Sequence, residues 1–172
     1  MSGSKIVIIQ GSSRSQGDTH QFVSYLREKM NCDWVDLKPL TIGHFDYEFG
    51  NQGDDFMPLM RRLVQDYDTF IFATPVYWYT MSGIMKVFFD RLSDLLKIDK
   101  PLGRQLRGKQ MAVLSCASDA DLKAGFHMPF VESANYLGMT YLGEVHAWIE
   151  EGQIPSALFP KLHQFIEKCY DQ

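Results

Sequence analysis

Apolar residues in this chain follow two rhythms. Short, mainly apolar runs recur at Lys5-Ile6-Val7-Ile8-Ile9, Trp34-Val35-Asp36-Leu37, Phe70-Ile71-Phe72-Ala73, Met111-Ala112-Val113-Leu114 and residues 141–148. The first is β-branched throughout and stops at Gly11, as expected of a strand buried on both faces of a parallel sheet. Between the runs, apolar positions return at helical spacing: Phe22, Val23, Leu26 and Met30; Phe56, Leu59, Met60, Leu63 and Val64; then Ile84, Val87, Phe88, Leu92, Leu95 and Leu96, with Phe89 widening the stripe. Asp18 or Thr19 is available to cap the first helix and Asp54 or Asp55 the second. A weaker helix is expected over 128–137 with Gly138 as its C-cap, and a last one over 155–170 with Leu158, Leu162, Phe165, Ile166 and Cys169 on one face.

Five strands alternating with helices predict an α/β fold. The expectation is a flavodoxin-like three-layer sandwich with a five-stranded parallel sheet in the order 2-1-3-4-5, since right-handed crossovers leave few topologies. Residues 1–172 are expected to form a single domain, and a chain of this length buries roughly 70% of its unfolded surface. Two connections are long or unusual. Residues 38–54 carry Pro39, three glycines and the rings of Phe45, Tyr47 and Phe49, which suits either an ordered cover over a ligand or a loop folded on its own cluster. Residues 73–83, Ala-Thr-Pro-Val-Tyr-Trp-Tyr-Thr-Met-Ser-Gly, leave the carboxyl end of the third strand with three consecutive aromatics. Residues 100–108, with Pro101 and two glycines, read as a simple connection.

Composition narrows the class. Net charge is −4, which offers no basic footprint for nucleic acid. No run approaches membrane-spanning length, and residues 6–9 are too few for a signal-peptide core. Cys32, Cys116 and Cys169 are odd in number and far apart, which fits reduced thiols in a cytoplasmic protein without a structural metal. A small-molecule ligand is the default.

In the expected strand order the loops after Ile9 and Ala73 face one crevice, where ligands of open sheets bind. The first, residues 10–20, is Gln-Gly-Ser-Ser-Arg-Ser-Gln-Gly-Asp-Thr-His, dense in hydroxyls and opening a helix whose N-terminus favours an anion. It is not a P-loop, because Asp18 stands where the lysine should follow, nor a G-x-G-x-x-G turn, because Ser13 stands at the second glycine. It suits a monophosphate held by hydroxyls, amides and Arg14. Three consecutive side chains after a strand cannot all point inward, so the aromatic loop offers rings to something flat. A phosphate beside a flat aromatic body describes flavin mononucleotide (FMN).

These motifs resemble a known family. Gly11-Ser12-Ser13-Arg14 with Gly17-Asp18-Thr19, and Thr74-Pro75-Val76-Tyr77-Trp78 with Met81-Ser82-Gly83 and Lys86 to Asp90-Arg91, are similar to the two signatures of the NAD(P)H-dependent FMN reductases among the flavodoxin-like flavoproteins. The resemblance implies phosphate contacts from Ser12, Arg14, Asp18, Thr19 and His20. It implies ring contacts from Pro75, Val76, Tyr77, Trp78, Tyr79 and Thr80, and a third contact loop containing Ser115 and Cys116. Two departures stand out: Asp18 where relatives often carry Asn, and Cys116-Ala117-Ser118 where relatives often carry glycine. No cysteine falls in 41–53, where some relatives hold an iron-sulfur cluster.

The implied activity is transfer of hydride from NAD(P)H through FMN to a quinone, free flavin or similar small acceptor, in a homodimer or homotetramer. No catalytic acid or base is demanded. The rival readings are a flavodoxin-type electron carrier and a flavin-free nucleotide-binding reductase. Phe45 and Tyr47 are open to roles in seating nicotinamide or acceptor, or in loop packing alone. His44, His127, His146 and His163 lie in separate elements without ligand spacing, Cys116 is expected to be a buried inert thiol, and Asp90 and Arg91 a structural or subunit-contact pair.

Overall fold

The computed structural model describes residues 5–170. Strand β1 (Ile6–Gln10) leads into helix α1 (Asp18–Met30), followed by β2 (Asp33–Asp36), α2 (Phe56–Asp66) and β3 (Thr69–Tyr77). After these come β4 (Thr80–Met81), α3 (Gly83–Lys97), α4 (Lys100–Arg104), β5 (Gln110–Ala117), α5 (Met128–Leu137) and β6 (Thr140–Trp148). A 3-10 turn at Ser156–Leu158 opens the closing helix α6 (Phe159–Tyr170).

The sheet runs β2-β1-β3-β5-β6 with every pairing on that path parallel. This is the expected order, with one addition. Strand β4 pairs antiparallel with the end of β3, Val76 opposite Met81 and Tyr77 opposite Thr80, and lies off the main path. The unbroken apolar runs are explained by the two faces of the sheet. Val7, Ile9, Phe70, Phe72, Met111 and Val113 pack with α2, α3 and α5, while Ile6, Ile8, Ile71, Ala73, Ala112 and Leu114 pack with α1 and α6. Successive strand residues point to opposite sides, so a strand covered on both sides needs an apolar residue at every position.

Gly138 ends α5 in the left-handed region, φ 72°, as its position after the last apolar residue implies. The 100–108 connection differs from expectation. Pro101 starts the short helix α4, where its missing N–H costs nothing, and the Asp99 carboxylate accepts the Leu102 N–H at 3.2 Å. Among the described residues no helix is long and apolar enough to cross a membrane.

Candidate active site

The carboxyl ends of β1 and β3 sit side by side, Gln10 in register with Ala73. Gln10 is fully buried and its side chain organises the loop that follows: Nε2 donates to the Ser15 carbonyl at 3.0 Å and Oε1 meets His20 Nδ1 at 3.1 Å. The Ser12 hydroxyl accepts the Arg14 N–H at 3.2 Å, which folds the turn. Gly11 is demanded by packing, since a Cβ there would lie 2.9 Å from the Met85 Cβ of α3. Helix α1 begins after Gly17 with no side-chain cap, whereas α3 is capped by Ser82, whose Oγ accepts the Met85 N–H. Ser82 Oγ also donates to the Gly11 carbonyl at 2.6 Å, tying the start of α3 to the end of β1.

Sequence patterning ends β3 at Ala73, but the strand continues through Tyr77 and turns back in a hairpin. The two central residues, Trp78 (φ 48°) and Tyr79 (φ 66°), are both in the left-handed region. A two-residue turn of that hand matches the twist of its strands, but it normally uses Asn or Gly, and each bulky residue there costs about 1–2 kcal/mol. The rings are not covered in return: Trp78 is 91% exposed, Tyr79 66% and Tyr77 40%. None of the three is core. Strain and exposed aromatic area at one turn point to a ligand surface.

The two loops touch. Ser13 Oγ and the Tyr77 hydroxyl share a hydrogen bond of 2.6 Å, so the hydroxyl-rich turn and the aromatic hairpin are in direct contact. Arg14 is exposed, its side chain lying 3.3 Å from where a Gly17 Cβ would be, over the open start of α1.

A family model for NADPH-dependent FMN reductases matches residues 4–153. The chain belongs to that family. It is 29% identical over 161 residues, 88% of this chain and 87% of the other, to YwqN of Bacillus subtilis (strain 168), by its assigned name an NAD(P)H-dependent FMN-containing oxidoreductase. Among solved structures, the Trp repressor binding protein from Bacillus subtilis superposes with TM-score 0.69 at 24% identity, covering 95% of this chain and 94% of that one. The NADPH-quinone reductase from P. pentosaceus superposes with TM-score 0.67 at 19% identity, covering 95% and 96%. These structures share the flavodoxin-like fold.

In this FMN reductase family member the site residues expected from sequence fall into three places. Ser12, Arg14, Asp18, Thr19 and His20 form one rim, Ser12 and Thr19 buried, Arg14 and Asp18 exposed, and His20 packed 4.9 Å from the Trp34 ring. Pro75, Val76, Tyr77, Trp78, Tyr79 and Thr80 form the other, Pro75 buried and Thr80 exposed. The third loop sends its first two side chains inward. Cys116 is 3% exposed, and burial pushes its thiol up to about 12, making it inert as expected. Ser115 is fully buried and its hydroxyl meets His146 Nδ1 at 2.9 Å and, at the limit of bonding, His127 Nε2 at 3.5 Å.

That last convergence is invisible to sequence spacing. His127 and His146 are not isolated: His146 Nε2 also reaches the Asp119 carbonyl at 3.0 Å, and His127 Nδ1 lies 3.7 Å from Glu144. Burial lowers both imidazoles below their ordinary range, partly offset by Glu144 at His127 and by the Asp119 contact at His146. Gln10 and Ser82 are not singled out as site residues by the sequence, nor is Thr74, whose Oγ1 accepts the Ser82 N–H at 3.0 Å; for Gln10 the available signal is a polar residue directly ending an apolar strand run.

Residues 38–54 fold on their own cluster. Phe45 contacts Tyr47 and Phe49 edge-on at 5.2 and 5.8 Å, and Asp46 accepts the Glu48 and Gly50 amides. Arg91 corrects the expected Asp90–Arg91 pair. Asp90 instead bonds Lys86 on the next turn, while Arg91, 1% exposed, reaches Asp94 at 2.8 Å, Asp54 at 2.5 Å and the carbonyls of Gly43 and Asn51. Burial works to raise the Asp54 carboxyl, but its hydrogen bonds from Arg91, Phe56 and Gly43 hold it below the usual carboxylate range.

Proposed function

We propose that this protein is an FMN-dependent NAD(P)H oxidoreductase that reduces a quinone, free flavin or similar small acceptor by hydride transfer. The observation supporting this reading is the 2.6 Å contact between Ser13 and Tyr77, which sets an anion-ready turn directly against an aromatic turn. The residues fit the cofactor. Helix α1 has no capping side chain, so its first N–H groups and positive end face the hydroxyl-rich turn, as a phosphate requires. The strained hairpin presents apolar rings in water, as a flat heterocycle requires. When bound, FMN supplies two-electron chemistry, taking hydride from NAD(P)H and passing it on; the net change is NAD(P)H + H⁺ + quinone to NAD(P)⁺ + hydroquinone.

The chain binds and orients. Ser12, Arg14, Thr19 and His20 hold the phosphate end, with Gln10 fixing the turn from beneath through Ser15 and His20. Asp18, in the first turn of α1, favours the helix dipole through its charge and is exposed to solvent. Pro75, Val76, Tyr77, Trp78, Tyr79 and Thr80 shelter the ring end, and the backbone of residues 115–116 closes the far side, their side chains being engaged elsewhere. As a further part of this reading, the enzyme is a single-domain cytoplasmic protein acting as a homodimer or homotetramer.

The test is an absorption spectrum of the purified protein after reconstitution with FMN and again after anaerobic NADPH. A retained flavin spectrum that bleaches on NADPH is expected; retained flavin that NADPH leaves oxidised would indicate an electron carrier, and no retained flavin would overturn the assignment. Arg14→Ala should weaken FMN binding about 10-fold or more, the scale of one hydrogen bond from a charged group. An unchanged affinity removes Arg14 from the site.

A further inference from the structure

The loop from Ser118 to Phe126 leaves β5 and returns at the head of α5, and one chain of polar groups touches it at both ends. At its start the Asp119 carbonyl is met by His146 Nε2 at 3.0 Å; at its return stands His127, whose Nδ1 faces a Glu144 oxygen at 3.7 Å. Between the two imidazoles lies the fully buried Ser115 hydroxyl, 2.9 Å from His146 Nδ1 and 3.5 Å from His127 Nε2. The chain therefore runs Glu144, His127, Ser115, His146, Asp119 carbonyl, with the Tyr141 hydroxyl donating to the other Glu144 oxygen at 2.9 Å.

This chain is one hydrogen short. Its four contacts need a hydrogen each, and two neutral imidazoles and one hydroxyl supply three. A carbonyl only accepts, so His146 carries its hydrogen on Nε2, its Nδ1 is bare, and the Ser115 hydroxyl donates to it. The single hydrogen of His127 then serves either Ser115 or Glu144, and at the other contact two lone-pair atoms face each other. The geometry agrees: the two contacts of His146 measure 2.9 and 3.0 Å, whereas the two of His127 are slack at 3.5 and 3.7 Å. One added proton completes all four contacts. It does so on either ring: when a proton passes from His127 Nε2 to Ser115 Oγ and the Ser115 hydroxyl proton passes to His146 Nδ1, every contact stays occupied. A second added proton sets two cations about one oxygen and leaves the serine hydrogen without an acceptor, so it is disfavoured.

We propose that Ser115 joins His127 and His146 into one site that holds a single proton, and that this proton clasps the loop 118–126 at both ends. Burial favours the neutral form of both rings, so the proton arrives on acidification below pH 6.5. The charged groups facing the pair are Glu144 beside His127, Asp119 and Asp121 from the loop, and Lys161 from α6, which opposes a charge on His146. The Phe126 ring stands edge-on to His127 at 5.1 Å. The loop continues from residues 115–116, which the reading above sets at the far side of the flavin; the proton count does not rest on that reading.

The experiment is an NMR titration of the full chain, free of FMN and with nitrogen-labelled histidine, from pH 8 to pH 4.5, with His20, His44 and His163 as internal controls. At pH 8 His146 should be the Nε2–H tautomer. On acidification His127 and His146 should move with one midpoint and together take up the proton of a single imidazole. Two complete and independent protonations, or none by pH 4.5, overturns the shared site. In Ser115→Ala the link is gone, and the two rings should titrate at separate midpoints while the control histidines stay unchanged; a retained common midpoint overturns the role of Ser115. Glu144→Gln addresses the missing hydrogen directly. Its amide keeps an oxygen for Tyr141 and offers an N–H to His127, so the fourth contact forms without an added proton. Amide exchange over 118–126, corrected for its intrinsic pH dependence, should slow about 5-fold on protonation of the parent and already be slow at pH 8 in Glu144→Gln. Loop exchange that ignores pH in the parent overturns the clasp, as does a Glu144→Gln loop that tightens only on acidification.

Discussion

Two aromatic-bearing segments leave the same edge of the sheet, and they resolve their energetics in opposite ways. The segment after β2 sets Phe45 edge-on to Tyr47 and Phe49 and is pinned by Arg91, which sits 1% exposed among Asp54, Asp94 and two carbonyls. The turn after β3 keeps Trp78 and Tyr79 in the left-handed region with their rings in water. The first segment holds its shape through these bonds, although the Tyr47 ring stays 86% exposed. The second has no such internal ties among its rings, so aromatic content alone does not tell a self-packed loop from an exposed one.

The largest effect that would sharpen this contrast is Arg91→Met. It leaves two carboxylates buried without their cation, so unfolding in urea should show a loss of about 3–5 kcal/mol. Stability equal to the parent would mean that the segment holds itself without the guanidinium. The acid limb should change too. Asp54 is held below its ordinary value of 3.8, so its contribution is full above that value and disappears as pH falls through the folded-state value; in Arg91→Met that loss should be reduced.

A smaller effect of opposite sign is expected at the hairpin. Replacing Trp78-Tyr79 with Asn-Gly supplies residues that accept positive φ, so thermal unfolding should show a gain of about 1–2 kcal/mol while FMN affinity falls about 10-fold. A variant that is no more stable would show that the turn carries no strain. One that keeps full FMN affinity would remove the rings from the site.

The smallest effect lies in the third loop, between these extremes. His127 and His146 are both lowered from the ordinary 6.5 by burial, so each favours its neutral form when folded. Their contribution is complete above pH 6.5 and is lost as pH falls from there through the folded-state values. His146→Gln should cut the slope of melting temperature between pH 6.5 and 5 by about half. An unchanged slope would show that the imidazoles titrate as freely as in the unfolded chain.

Much of the architecture was legible because it is written locally. Unbroken apolar runs and stripes with period 3.6 need no partner to be recognised, and right-handed crossovers leave few strand orders. The meeting of residues 11–20 with the hairpin was legible for the same reason, since both loops leave neighbouring strands at the same edge. What stayed hidden was the extension of β3 past Pro75 into a hairpin. Tyr77-Trp78-Tyr79-Thr80 lacks the Asn-Gly or Asp-Gly that ordinarily marks such a turn.

The sequence by itself determined the alternation of strands and helices, the two-faced core and the identity of the loops at the carboxyl edge of the sheet, because each depends on side-chain polarity repeated over a few residues. Only the tertiary structure decided which charges meet. Arg91 finds Asp54 across 37 positions, and Ser115 meets His146 because parallel strands β5 and β6 set those two residues in register. Spacing along a chain fixes the faces of an element, but the distance between elements is set by packing, and hydrogen bonds and ion pairs are governed by that distance.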